Sequence, residues 1–116
     1  DMRKHRHRLR QERRDRLQEL IRRFSSMLQD TVVGSRNSRP VLSMKAGVAS
    51  QFPGVVHDIS ASGNTVFIEP QAIIPIGNRI AKFKAKVLEE EQRLFLYRIN
   101  WAFIKNTIYK SIRYSF

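Results

Sequence analysis

Val55-Val56-His57-Asp58-Ile59, Ser60-Ala61-Ser62-Gly63-Asn64 and Thr65-Val66-Phe67-Ile68-Glu69 follow one another without a break, and the reading of this run decides the fold. Its outer segments are rich in β-branched and aromatic residues, which suit a pleated, half-buried surface. The five-residue connection offers Gly63 for a positive φ, as the longer hairpin loops require. Phe52-Pro53-Gly54 marks a turn before the first segment. Pro70 ends pairing after the second, because it has no backbone N–H. The run is therefore predicted to be an antiparallel hairpin. Between Asp30 and Ser43 the residues Gly34, Ser35, Asn37, Ser38 and Pro40 favour turns and short extended pieces, and Val41 to Lys45 reads as one more short strand. Residues 30–77 together form a β-rich insert.

Helical periodicity stands on both sides of the insert. Leu17, Leu20, Ile21, Phe24, Met27 and Leu28 recur at the three-and-four spacing that places them on one helix face, so residues 1–29 are predicted to be largely helical. The other faces carry Arg6, Arg8, Arg10, Arg13, Arg14, Arg16, Arg22 and Arg23, giving a narrow apolar seam and a broad cationic surface. A returning helix is predicted over residues 78–96, with Ile80, Phe83, Val87 and Leu94 as its stripe. The expected fold class is α+β, two long helices flanking a small antiparallel hairpin insert. Each seam needs a partner, and the isolated chain is expected to be poorly stable without one.

Composition bounds the function. Lys and Arg number 22 against 10 Asp and Glu, a formal net charge of +12, which raises the local concentration of anions. The excess is uneven, with ten Lys/Arg and four acids in residues 1–24, eight and six in residues 25–96, and four and none in residues 97–116. The chain has no cysteine, so neither a disulfide framework nor a thiolate metal site is available. His5 and His7 sit in a run of arginines that repels cations and lacks supporting carboxylates, so no metal site is expected. No stretch has the roughly 18–20 apolar residues that span a bilayer, and no membrane partner is expected. The first residue is Asp1, and the chain is read as beginning inside a longer reading frame.

The stretch from Gly54 to Pro70 resembles the "GIVHDxSASGxTxFIEP" signature of the MutS type two family, a group of mismatch-repair-like ATPases. Gln71-Ala72-Ile73-Ile74 followed by Asn78 is similar to that family's continuation. Upstream, Val32-Val33, Arg36-Asn37-Ser38-Arg39 and Lys45 resemble its "VTIRNxRYVIPVK" strands, with departures at Pro40 and Ser43. Pro75-Ile76-Gly77 departs from the family's acidic approach to the second helix. The resemblance covers residues 6 to about 95. It implies the lever and clamp region of a larger MutS-like fold, where long helices carry a small β-rich element toward nucleic acid. It further implies that whole members are homodimers using ATP and magnesium, often with an Smr nuclease domain. Their implied partners are mismatched or branched DNA, and the bacterial forms are also associated with ribosomes.

No catalytic residue and no cofactor is expected within this stretch. The sequence contains no Gly-x-x-x-x-Gly-Lys-Ser/Thr loop to cradle phosphates. His57 and Asp58 beside Ser60 have the residue types of a hydrolytic site, but neighbouring strand residues point to opposite faces, so His57 is expected to be structural. The nucleic-acid contacts expected are Arg36, Arg39 and Lys45, together with Ser60, Ser62, Gly63 and Asn64, whose Gly-containing turn is weighed as an anion site against an ordinary hairpin loop. The arginines of the first helix attract phosphates without reading bases, and equally suit a solvated face.

Residues 97–116 no longer resemble the family. Thirteen of these twenty residues are Ile, Tyr, Asn, Lys or Phe, types with A/T-rich codons, so the stretch is read as run-on into an intron or a shifted frame of a eukaryotic gene. The alternative is a basic, aromatic tail for single strands or a membrane surface. The function expected is a nucleic-acid-binding scaffold segment of a DNA-dependent ATPase, acting in DNA repair or recombination control. The alternative is a free-standing basic helical adaptor for ribosomal RNA or a partner helix.

Overall fold

The computed structural model describes residues 2–115. Its elements are helix α1 (Met2–Arg23), strands β1 (Gly34–Arg36), β2 (Arg39–Lys45), β3 (Gly54–Ile59) and β4 (Thr65–Pro70), and helix α2 (Ile74–Ser115). Single 3-10 turns stand at Ser25–Met27, Ala49–Gln51 and Gln71–Ile73. The class is α+β, two helices flanking an antiparallel sheet. The chain divides into two compact units, Asp1–Ala81 and Lys82–Phe116. Among the described residues no helix is long and apolar enough to cross a membrane.

The predicted hairpin is the β3–β4 pair, with Val55 opposite Glu69 and Ile59 opposite Val66. It is half of a larger element, because β1 and β2 extend it to a four-stranded sheet in the order β1-β2-β4-β3. The stretch Gly34 to Pro40, read as turns and short extended pieces and resembling a family strand pair, forms a second hairpin. Its loop is Asn37-Ser38, both with positive φ (55° and 62°), the mirror-image turn whose twist matches that of strands. Pro40 fits within β2 for a geometric reason. Arg36 and Arg39 flank the two-residue loop as the hydrogen-bonded pair, so Pro40 falls opposite Ser35 at a position that donates nothing to β1. On the other side, pairing with β4 starts only at Leu42.

One face of the sheet and the seam of α1 make the core. Leu17 and Ile21 of α1, with Leu28, meet Leu42, Met44, Phe52, Ile68 and Ile73, and Leu20, Phe24 and Met27 pack at the edge of this cluster. All six seam residues predicted from periodicity belong to it or pack against it, so the seam finds its partner on the sheet, inside the chain. Each large side chain removed from water on this face contributes roughly 1.5–3 kcal/mol. The helix ends earlier than its apolar periodicity. After Phe24, whose ring meets the edge of Phe52 at 5.1 Å, the chain leaves the helix; Gln29 N donates to Ser43 O at 2.8 Å and Leu28 bridges Met44. A tertiary strand contact has replaced the last helical turn.

Helix α2 also differs from the expected 78–96. It starts at Ile74, because proline in a first turn loses no hydrogen bond, so Pro75 does not delay the helix. A Cβ at Gly77 would lie 2.7 Å from the Arg39 guanidinium, so a larger residue there would have to displace that side chain. The helix runs on to Ser115, because residues 97–115 hold neither proline nor glycine to stop it. In the first unit, Ile73, Ile76 and Ile80 are buried. In the second, Phe83 and Val87 are half-buried and Leu94, Tyr97, Trp101, Ile104, Ile108 and Ile112 are exposed.

Candidate nucleic-acid interface

The sheet face opposite the core is polar and tightly bonded. β3 carries one extra residue between Val56, opposite Ile68, and Asp58, opposite Phe67; the extra residue is His57. Such a bulge breaks the alternation of side chains. His57 and Asp58 therefore both reach the β1–β2 turn, and the expectation that they point to opposite faces does not hold. Asn37 Nδ2 lies 3.2 Å from His57 Nδ1, and Arg36 Nε donates to Asp58 Oδ2 at 3.1 Å. The Arg36 guanidinium also stacks over the Phe67 ring at 4.3 Å.

Glu69 is the centre of this face. Its side chain is 4% exposed, with one oxygen 2.9 Å from His57 Nε2 and the other accepting from Arg39 Nε at 2.7 Å. Both ring nitrogens of His57 are thus engaged, Nδ1 by Asn37 and Nε2 by Glu69. Arg39 continues the chain of bonds into α2 through Ile74 O (3.2 Å) and Asn78 Oδ1 (3.1 Å). The His and Glu of the Gly54–Pro70 stretch are thus one bonded pair across β3 and β4, and among the described residues no buried side-chain polar atom lacks a partner. Gly54 completes the fit, since a Cβ there would strike Glu69 O and Ile68 Cγ2. His57 is held in place through both ring nitrogens.

The structure separates the seven residues expected to meet nucleic acid into two groups. Arg36 and Arg39 flank the β1–β2 turn. Arg39 is mostly buried and fully used by Glu69, Ile74 and Asn78, whereas Arg36 remains part-exposed beside Asp58. Lys45, Ser60, Ser62, Gly63 and Asn64 gather at the other end of the sheet, where Lys45 pairs with Thr65 and Ala46 N donates to Asn64 O. Lys45 Nζ donates to Ser26 O at 3.2 Å. In the loop, Gly63 (φ 77°) donates its N–H to Ser60 O, Ser60 Oγ accepts from Thr65 N, and Ser62 Oγ accepts from Asn64 N. The loop's best donor is therefore turned inward, which is the ordinary hairpin arrangement rather than an anion nest.

A third cationic region lies on α1, whose arginines were expected on the polar faces of the helix, away from its apolar seam. His7, Arg10, Arg13 and Arg14 of α1, with Leu17, Val33 and Pro40, line an open cleft of about 410 Å³. Arg13 lies one helical turn from Leu9 and one from Leu17, both buried, so its guanidinium is carried on the core-facing stripe. Burial, and then the neighbouring charges of Arg39 and Arg10, hold its pKa below the usual arginine value. The signal was legible: an arginine at four-residue spacing from a leucine on each side. Among the described residues no cluster of His, Asp or Glu has the makings of a metal site.

The fold and this surface define a class, a basic helix-flanked β module with polar bonding on one sheet face and an arginine-lined cleft beside it. No family model matches the chain. It is similar to Endonuclease MutS2 of Synechocystis sp., 47% identical over 77 residues that cover 66% of this chain and 9% of that protein. Endonuclease MutS2 of Streptococcus gordonii is 46% identical over 86 residues (74% and 10%), and that of Streptococcus sanguinis 48% over 81 residues (70% and 10%). The chain is a segment of the MutS2 family. It spans about a tenth of the length of these curated relatives.

Proposed function

We propose that this segment positions nucleic acid by its phosphate backbone, without reading bases, as the clamp-like part of a MutS2-type ATPase. The observation that carries the reading is the state of the α1 cations. Arg6, Arg8, Arg10, Arg13, Arg14 and Arg22 make no hydrogen bond or ion pair with any described residue, while the helix is held in place by Leu17, Ile21 and their core neighbours. Unpaired guanidinium groups along one helix suit phosphate oxygens, which position a protein and carry no sequence information. The relatives' name, endonuclease, favours nucleic acid as the polyanion. ATP, magnesium and a homodimeric assembly belong, in this reading, to the whole protein, and mismatched or branched DNA is its ligand.

The test is fluorescence anisotropy with a labelled four-way junction and a duplex of equal length, from 50 to 200 mM salt. Each neutralised phosphate adds about 0.9 to the salt slope, so four to six contacts give an affinity loss of roughly 100-fold to 2,000-fold over that range. The junction is expected to bind more tightly than the duplex, with no preference between duplex sequences. Affinity that stays level as salt rises overturns the proposal.

A further inference from the structure

The α1 cleft has properties that a solvated charged face lacks. It is concave, and its volume of about 410 Å³ accommodates a nucleotide with room to spare over a bare ion. Its floor is apolar, with Leu17 buried and Val33 and Pro40 half-buried. Arg10, Arg13 and Arg14 are unpartnered among the described residues, whereas Arg16, two residues on, is paired to Glu12 at 3.3 Å. Glu69, whose field reaches Arg13, is already bonded to both Arg39 and His57. Arg13 therefore has like charges around it, and a bound anion would supply the counter-charge that this part of the molecule lacks.

We infer that the cleft takes one unpaired nucleotide of a nucleic-acid strand, its phosphate on Arg10, Arg13 and Arg14 and its sugar and base over Leu17, Val33 and Pro40. A single carboxylate is satisfied by one guanidinium fork and leaves the apolar floor uncovered, so an acidic peptide matches the cleft less well. A base held in a duplex cannot reach the floor, so the ligand is a single strand, a gap or a frayed end. The inference rests on the nucleic-acid reading above and narrows it to one place on α1.

The experiment compares the unaltered chain with Arg13→Gln and with Arg22→Gln, an exposed α1 arginine outside the cleft. The probes are labelled oligo(dT) and a duplex, with polyglutamate of equal charge as competitor. R13Q is expected to weaken oligo(dT) binding about tenfold and duplex binding about twofold, and R22Q to change both by about twofold. In the unaltered chain, oligo(dT) should protect Arg10, Arg13 and Arg14 from phenylglyoxal more than Arg22. This footprint needs no variant to fold. Equal effects of R13Q and R22Q, uniform protection, or competition by polyglutamate as strong as by unlabelled oligo(dT) overturns the inference. In those cases salt-dependent duplex binding still stands for the general reading, whereas loss of binding to both nucleic acids removes that reading as well.

Discussion

Replacing Glu69 by alanine should cost this protein more than any exposed charge does. The carboxylate is 4% exposed and accepts from Arg39 at 2.7 Å and from His57 at 2.9 Å. Two unit charges about 4 Å apart at an effective dielectric of about 20 attract by roughly 4 kcal/mol. Removing one member of a buried pair measures at about 3–5 kcal/mol, because the other charge is left without compensation. Arg39 keeps Asn78 Oδ1 and Ile74 O in E69A, so the lower end, about 3 kcal/mol, is expected. At about 0.05–0.15 kcal/mol per residue, the unit Asp1–Ala81 has a total stability of only roughly 4–12 kcal/mol. Urea unfolding followed by circular dichroism reads the change directly, as a midpoint lower by about 1–3 M for m values of about 1–3 kcal/mol/M. The double variant R39M/E69L removes both charges and should recover most of the loss, because a buried pair is often no better than apolar groups of similar volume. A loss in E69A below about 1 kcal/mol, or a double variant no more stable than the single one, refutes the placement of the pair in the interior.

Two further outcomes follow from the same geometry. Gly54→Ala pushes a methyl group into Glu69 O and Ile68 Cγ2, neither of which is a flexible chain end, so a loss of about 2 kcal/mol or more is expected in thermal melts. Arg13→Gln should raise stability slightly, as read in thermal melts. The sign follows from its lowered pKa: below the folded value both folded and unfolded chains are protonated, and the folded state carries the full penalty of burial and repulsion. That penalty is relieved only as pH rises through the folded pKa, so the gain should be present at neutral pH and shrink as pH rises through the lowered pKa. A loss of stability at neutral pH contradicts the reading.

Elements that depend on local pattern were legible in the residues alone. β-Branched segments around a Gly-containing loop gave the β3–β4 hairpin, and three-and-four spacing of Leu17 to Leu28 marked the face of α1 that enters the core. The dense match from Gly54 to Pro70 was enough to indicate the MutS2 family. Tertiary structure decided what local pattern does not encode. It converted the Asn37-Ser38 stretch into a tight hairpin by giving its strand a partner in β4, and it ended α1 at the point where Leu28 and Gln29 meet β2. It also inserted a bulge at His57, which sends two adjacent side chains to one turn, and so reversed a conclusion drawn from strict alternation. The arginines show the same division. Their number and helical spacing were written in the chain, but only packing separated Arg39, consumed by Glu69, from Arg13, held beside buried leucines with no anion of its own. Charge is a property of a residue type, whereas its partner is set by which distant residue the fold brings within 3 Å.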